Sequence, residues 1–139
     1  MKKCMAMLWF PLLAGFLLAG CATTTMTPES AQWRLTELSG MPAAATSAAS
    51  LEFDRGPPLR AFGSTGCNRF AASYMLLGTR LTFGSPATTR MACPGVMEQE
   101  RAFEQALEAA RNWRIIDRHL ELFDADGALL ARFAAADER

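Results

Sequence analysis

From residue 32 onward, hydrophobic and polar residues alternate in short runs, separated by clusters of turn-forming residues. Alternation with a period of two predicts β-strands that bury one face. In the first run it places Trp33, Leu35 and Glu37 on one face of a strand. Leu38 is then expected on the opposite face. The eight predicted strands cover residues 32–38, 51–53, 59–62, 71–77, 80–83, 113–117, 119–123 and 128–133.

Two connections between these runs carry strong turn signals. Residues 54–58 read Asp-Arg-Gly-Pro-Pro, which predicts a turn between the second and third strands. Asp126-Gly127 predicts the hairpin turn before the last strand. The stretch 40–50, rich in alanine and serine, is expected to form a loop.

After Pro94-Gly95 the spacing of hydrophobic residues becomes helical. From Val96, the apolar residues recur on one side for about four turns, which predicts a single amphipathic helix. Glu100, Glu104 and Glu108 are spaced four residues apart, and we expect them to form a solvated stripe on its polar side. The competing interpretation, a carboxylate cluster for metal binding or acid–base work, is less simple.

One helix among about eight short strands predicts an α+β domain. We expect a strongly bent antiparallel sheet or partly open barrel, with the amphipathic helix packed across it.

The first 20 residues differ from the rest of the chain. They hold 15 apolar residues and both lysines, Lys2 and Lys3, followed by a hydrophobic run that contains Pro11. This arrangement predicts a signal peptide over residues 1–20. A membrane-spanning helix is the alternative, but the run is short for a bilayer and contains a proline.

Leu18-Ala19-Gly20-Cys21 resembles the lipobox of bacterial lipoproteins. The resemblance implies cleavage before Cys21 and acylation of its thiol; an ordinary secretory cut with a free thiol is the alternative. Ala22 stands where an inner-membrane retention signal usually has aspartate, so the outer membrane is expected, with the domain facing the periplasm. Residues 21–31 have no apolar periodicity and are predicted to form a flexible tether.

Removal of the signal peptide leaves 12 arginines against 14 acidic residues, a net charge of −2. This balance argues against a nucleic-acid-binding protein. Cys67 and Cys93 remain as a pair in an oxidising compartment, which predicts a disulfide. Two free buried thiols are the alternative. A redox motif would favour closer spacing, and His119 would complete only three ligands of a metal site, so neither a metal nor a cofactor is expected.

Residues 63–70, Gly-Ser-Thr-Gly-Cys-Asn-Arg-Phe, are dense in special residues. They lack the lysine of a phosphate-binding loop and lead into a strand. Arg69 and Arg90 have the chemistry to bind an anion, although structural ion pairing is the simpler role. Asn68 is expected to satisfy backbone groups of a turn. His119, the one candidate base, is flanked by no nucleophile in the sequence, so no catalytic residue is predicted.

Several of these motifs together resemble the META domain of HslJ-type heat-shock lipoproteins. The resemblance covers roughly residues 31–134 and includes Trp33-Arg34-Leu35, residues 66–70, residues 88–93 and the last hairpin. It implies a stress context, either heat shock or novobiocin tolerance, and no established reaction. The motif residues carried over are Gly66, Cys67, Asn68, Arg69, Thr89, Met91 and Cys93.

These observations predict a META domain over residues 32–134, followed by a tail at 135–139. The expected function is non-enzymatic support of the envelope under stress, through binding of an envelope protein. The alternative is a small amphipathic ligand, an acyl chain or an aminocoumarin-type drug, bound in an apolar groove.

Overall fold

The computed structural model describes residues 25–136. The predicted signal peptide, the lipidation site Cys21 and residues 137–139 of the predicted tail lie outside the described residues. Within residues 25–136, no helix is both long enough and apolar enough to span a membrane.

The described chain contains a short N-terminal 3-10 turn (Pro28–Ser30), ten strands and one helix. The strands are β1 (Trp33–Leu38), β2 (Met41–Pro42), β3 (Ser50–Asp54), β4 (Arg60–Ser64), β5 (Arg69–Leu77), β6 (Arg80–Phe83), β7 (Ala87–Thr88), β8 (Asn112–Ile116), β9 (His119–Phe123) and β10 (Leu129–Ala135). The helix α1 spans Met97–Ala109, with Val96 at its N-cap.

Eight strands form a closed antiparallel barrel in the order β10-β9-β8-β6-β5-β4-β3-β1, because β1 also pairs with β10. That pairing runs from Trp33↔Ala135 to Leu38↔Ala131. The α+β architecture with one helix across a curved sheet is confirmed, and the sheet is closed rather than partly open. The short strands β2 and β7, absent from the sequence prediction, pair with β1 and β5.

A β-bulge changes the faces of β1. The register against β10 shifts between Leu35 and Glu37, so one extra residue enters β1 at this point. Leu38 is consequently buried with Trp33 and Leu35, while Glu37 turns outward. The predicted sharing of one face by Trp33 and Glu37, opposite Leu38, is wrong because strict alternation fails across a bulge.

The barrel interior is filled by side chains. Phe103 of the helix inserts between Phe70 and Phe133, with ring centroids 5.4 and 6.1 Å apart. These aromatic contacts stabilise the fold in addition to the free energy gained by burying apolar area. The largest fully buried apolar side chains are Trp33, Phe103, Phe133, Leu51, Leu81, Leu107, Leu120 and Leu122.

The two ends of the barrel are closed by different segments. Because antiparallel neighbours alternate in direction, the end of β6 and the start of β8 share one rim, and α1 connects them there. We call this end the helix rim. The opposite end, where β3, β5, β8 and β10 finish and the 3-10 turn precedes β1, is the N-terminal rim.

The 3-10 turn is part of the domain. Pro28 is buried, and its carbonyl oxygen accepts a hydrogen bond from Trp33 Nε1 at 2.6 Å. Glu29 accepts a hydrogen bond from the Tyr74 hydroxyl and lies 3.7 Å from Arg55. Residues 28–31 therefore belong to the folded unit, and only the earlier part of the predicted tether is left. At the other end of the chain, Ala135 pairs in β10 instead of starting the tail.

A row of alternating charges crosses four neighbouring strands on the outside of the barrel. Arg114 of β8, Glu121 of β9, Arg132 of β10 and Glu37 of β1 are consecutive cross-strand partners. Glu121 accepts hydrogen bonds from Arg114 Nε at 2.9 Å and Arg132 Nε at 3.0 Å. Arg132 also reaches Glu37 at 2.7 Å, so this charge ladder spans the β1–β10 closure.

Glu121 is only 6% exposed although it points away from the core. Burial alone would raise the pKa of its carboxyl, but the hydrogen bonds and charges of Arg114 and Arg132 outweigh burial and lower the pKa. A lowered pKa means that the ionised carboxylate favours the folded state. The stabilisation is present above the pKa of the unfolded chain and is lost as pH falls through the folded pKa.

We expect Glu121→Gln to destabilise the domain by about 2 kcal/mol at pH 7, because it removes one member of a nearly buried charge network. The melting temperature should fall by roughly 8 °C. The difference from the unsubstituted protein should begin to shrink as pH falls through the pKa of the unfolded chain, about 4.3, and should disappear once pH falls below the lowered pKa of the folded carboxyl. Thermal unfolding followed by circular dichroism across pH 3–8 measures this.

The exposed helix residue Glu98 provides the control, since Glu98→Gln removes the same charge without a buried network. A pH-independent effect of Glu121→Gln, or an equal effect of Glu98→Gln, would contradict the role assigned to the ladder.

Candidate functional site

The motif residues separated in sequence meet at the helix rim. Asn68 follows the β4–β5 turn, is 2% exposed, and holds the backbone of Met91 from both sides. Its Nδ2 donates to the Met91 carbonyl at 3.0 Å, and its Oδ1 accepts from the Met91 amide at 2.7 Å. The Asn68 side chain thus makes the two hydrogen bonds that a neighbouring β-strand would make to the backbone of Met91. Asn68 satisfies backbone groups as predicted, but those groups are 23 residues away rather than in its own turn.

Thr89 completes this connection. Its hydroxyl donates to Asn68 Oδ1 at 2.8 Å and accepts from the Arg69 amide at 3.0 Å. The Thr89 amide also donates to the Arg69 carbonyl at 3.0 Å, directly after β7 ends its pairing with β5. The segment that leaves β7 is therefore fixed to the start of β5 by a continuous set of hydrogen bonds.

The predicted disulfide joins Cys67 to Cys93, with the Cα atoms 6.1 Å apart. Both cysteines are half-buried at the helix rim. The covalent bond is adjacent to the Asn68–Met91 contact, so the two act on the same pair of segments. The two thiols are therefore bonded in this structure rather than free.

Gly66 is required by the path of the backbone. Its φ is +118°, in a region that side chains rarely adopt. A Cβ atom there would also lie 2.6 Å from the Ser47 hydroxyl oxygen. The close approach of two loops therefore explains the glycine before Cys67.

Beneath the disulfide loop lies a buried polar pair that the sequence analysis missed. Thr65 is fully buried, and its hydroxyl lies 2.9 Å from Glu100 Oε1 of α1. Glu100 is 4% exposed, and within the described residues its Oε2 has no hydrogen-bond partner. The predicted solvated position of Glu100 is wrong.

The periodicity of α1 contains the missed signal. Glu100 precedes Phe103 by three residues and Leu107 by seven, which puts all three on the same face of a helix. That face packs onto the helix rim. Glu108 is exposed as predicted, and Glu104 lies 3.6 Å from Arg90.

The two candidate anion-binding arginines are both exposed. Arg90 pairs with Glu104, and 76% of its side chain is accessible, in agreement with a simple ion-pairing role. Arg69 points outward from the first position of β5. The structure therefore builds no enclosed anion site from these two residues.

His119 lies far from the motif residues in the fold. It begins β9 at the N-terminal rim, between Ile116 and Ala134 in the sheet. Its Nδ1 is 2.9 Å from the carbonyl oxygen of Asp117, two residues earlier. The barrel separates it from the helix rim, where the motif residues meet.

The side chains of Asn68 and Thr89 bond to each other and to the backbone of Arg69 and Met91. The part of this region that faces solvent is the loop 91–97. This loop reads Met-Ala-Cys-Pro-Gly-Val-Met and contains no charged side chain. Met91 is 56% exposed and Met97 38% exposed. We call it the apolar loop. It is held at Met91 by Asn68, at Cys93 by the disulfide, and at its end by the start of α1.

Comparison with known proteins agrees with this geometry. The sequence model of the META domain matches residues 24–137. No protein of curated function matches the chain.

Three solved structures share the fold. The solution structure of a protein from Burkholderia xenovorans is 24% identical, covers 80% of this chain and 85% of its own, and gives a TM-score of 0.64. Another solution structure is 25% identical, with 81% and 97% covered and a TM-score of 0.61. The crystal structure of a DUF4847 family protein from Bacteroides vulgatus is 13% identical, with 81% and 96% covered and a TM-score of 0.59.

Substitution of Asn68 by alanine should leave both backbone groups of Met91 without their partner. Each of these partly buried hydrogen bonds contributes about 1 kcal/mol, so we expect a loss of roughly 2 kcal/mol in unfolding free energy. Asn68→Asp should also destabilise, because its second oxygen would face the Met91 carbonyl. Urea unfolding measures the loss, with the exposed helix residue Gln105 replaced by alanine as the control. A change for Asn68→Ala as small as that control would contradict the proposed clamp.

The disulfide should stabilise the fold mainly by lowering the conformational entropy of the unfolded chain. For a closed loop of 26 residues, chain entropy gives a stabilisation of roughly 3–4 kcal/mol. Cys67→Ser, Cys93→Ser and the double variant should therefore melt at the same lowered temperature, because either change removes the same bond. Reduction of the unsubstituted protein should reproduce it. Unchanged melting after reduction would show that the bond has no structural role.

Proposed function

Because the chain belongs to the META domain family, we propose that it is a non-enzymatic, lipid-anchored protein of the bacterial outer membrane that binds a protein partner in the periplasm. Through this partner it supports tolerance of envelope stress, in the heat-shock or novobiocin context that the family resemblance implies. The observation that carries the proposal is the apolar loop 91–97.

An exposed apolar segment normally costs solubility, and on a small domain it is typical of an interaction site. Methionine suits such a site because its flexible, polarisable side chain adapts to different partner surfaces. Met91 and Met97 stand at the two ends of the apolar loop, and Pro94 stiffens its middle. The Asn68 clamp and the disulfide fix the loop before binding, which lowers the entropy lost on association.

The location of the loop also supports a partner in the periplasm. The chain enters the domain at the N-terminal rim, whereas the apolar loop lies at the helix rim. A lipid on Cys21 would hold the N-terminal rim close to the membrane, since only residues 22–24 separate it from the described chain. The helix rim would then point into the periplasm.

The alternative ligand, an acyl chain or a drug, is less well supported. A small-molecule site of this kind needs a concave apolar space. The barrel interior is occupied by side chains such as Trp33 and Phe133, which are fully buried. A surface cleft of about 180 Å³ lies between β1 and β3, but Gln32, Arg34 and Glu52 are among its lining residues. With this volume it is also smaller than the roughly 300–1,000 Å³ of typical small-molecule sites.

The absence of enzymatic activity is likewise part of the proposal. Thr65, whose hydroxyl lies 2.9 Å from a Glu100 carboxylate oxygen, is fully buried and out of reach of a substrate. His119 lies at the other rim. His119→Ala should accordingly leave stress tolerance unchanged in cells.

Two methionines with similar exposure allow a matched test. Met91 in the apolar loop is 56% exposed, and Met75 on the outer wall of β5 is 62% exposed. We expect a photo-crosslinking amino acid at Met91, in the full chain expressed in its own cells, to give a discrete protein adduct that is absent with the same label at Met75. We also expect Met91→Asp, but not Met75→Asp, to reduce survival under heat or novobiocin.

Equal adducts at both positions, or normal survival of the Met91→Asp strain with normal protein levels, would contradict the proposed partner site. Loss of survival in His119→Ala cells with a folded protein would instead support a catalytic role.

A further inference from the structure

We infer that the N-terminal rim is a lipid-contacting surface, on which Leu59, Leu77 and Ile116 touch the headgroup region of the membrane. The inference rests on the proposed lipid anchor and adds to it a second, noncovalent attachment that fixes the orientation of the barrel.

Three exposed apolar residues lie at this rim on different connections of the barrel. Leu59 immediately precedes β4, Leu77 ends β5, and Ile116 ends β8. Their exposed fractions are 39%, 72% and 47%. Because β5 and β8 run in the same direction and β4 begins where they end, all three belong to one end of the barrel. Pro57 and Pro58, also exposed, extend the apolar surface beside Leu59.

The charges around these residues suit a lipid headgroup surface. Arg60 follows Leu59 directly, and Arg80 is the cross-strand partner of Leu77. Both arginines are exposed. Arginine can keep its guanidinium among phosphates while its aliphatic stem lies along an apolar surface. Asp117, beside Ile116, and Asp54, the cross-strand partner of Arg60, each add one negative charge, so the rim carries charges of both signs, as zwitterionic headgroups do.

The length of the chain before the domain favours the membrane as the occupant. Cys21 and Thr25 are separated by four peptide units, which span at most about 14 Å. Hydrogen bonds join Pro28 to Trp33 and Glu29 to Tyr74. They hold residues 28 and 29 against the rim, so these residues do not add length to the tether. A lipid on Cys21 therefore keeps this rim within reach of the bilayer. When this end of the barrel is close to the bilayer, burial of its exposed leucines in the membrane interface is favourable in free energy.

Tryptophan reporters at the two ends of the barrel test the inference. The mature lipidated protein carries either Leu77→Trp or Met91→Trp and is reconstituted into phosphatidylethanolamine–phosphatidylglycerol vesicles with brominated acyl chains. Both positions are exposed, so neither substitution disturbs the core. Emission is compared with that of the unsubstituted protein, which supplies the background from Trp33 and Trp113.

A side chain lying in the interface is within reach of the brominated chains, so we expect the added emission of Leu77→Trp to fall at least about twofold. The added emission of Met91→Trp should be unaffected. Ile116→Trp repeats the test at a second position of the rim and should behave like Leu77→Trp.

The outcomes separate the inference from the proposed function. Protein that floats with the vesicles but leaves the rim reporters unquenched overturns the lipid-contacting rim and leaves the anchor intact. Quenching of Met91→Trp alone overturns the inferred orientation. Protein that fails to float with the vesicles contradicts the anchor itself, and the inference falls with it.

Discussion

The closure of the sheet by β1 and β10 is the constraint on which the rest of the structure depends. These strands are about 100 residues apart in the chain, and their pairing removes both free edges of the sheet. Trp33 and Phe133 meet in the core on the inner side of this seam, and Arg132 bonds Glu37 and Glu121 on the outer side. Apolar burial supplies the free energy and also fixes the register, because a shift by one residue would turn the buried face outward. The charge ladder adds cross-strand ion pairs in the same register.

A closed barrel leaves two open ends, and the protein uses them differently. The helix rim is sealed by α1, whose Phe103 enters the core. The clamp from Asn68 to Met91 and the disulfide are needed there because residues 84–96 contain only two residues of strand and would otherwise have few fixed contacts. The N-terminal rim is covered by the 3-10 turn, which Trp33 and Tyr74 hold through single hydrogen bonds.

This difference between the two ends of the barrel underlies the proposed function. At the N-terminal rim the chain enters the domain. At the helix rim the apolar loop is exposed and is held by Asn68 and the disulfide. Most of the motif residues shape this loop, since Asn68 and Thr89 bond to each other and Asn68 also bonds to the backbone of Met91. The exposed side chains at the two ends of this loop, Met91 and Met97, have no polar group to satisfy.

The sequence by itself determined the eight barrel strands, the helix from residue 97 and the pairing of the two cysteines. The strands and the helix follow from local periodicity and turn residues, which are signals between residues close together in the chain. The cysteine pairing follows from the number of cysteines, which is a property of the composition. Only the tertiary structure decided the bulge that buries Leu38, the burial of Glu121, and the reach of Asn68 across 23 residues to Met91. Each of these depends on a partner far away in the chain, and a single sequence carries no record of which distant groups will meet.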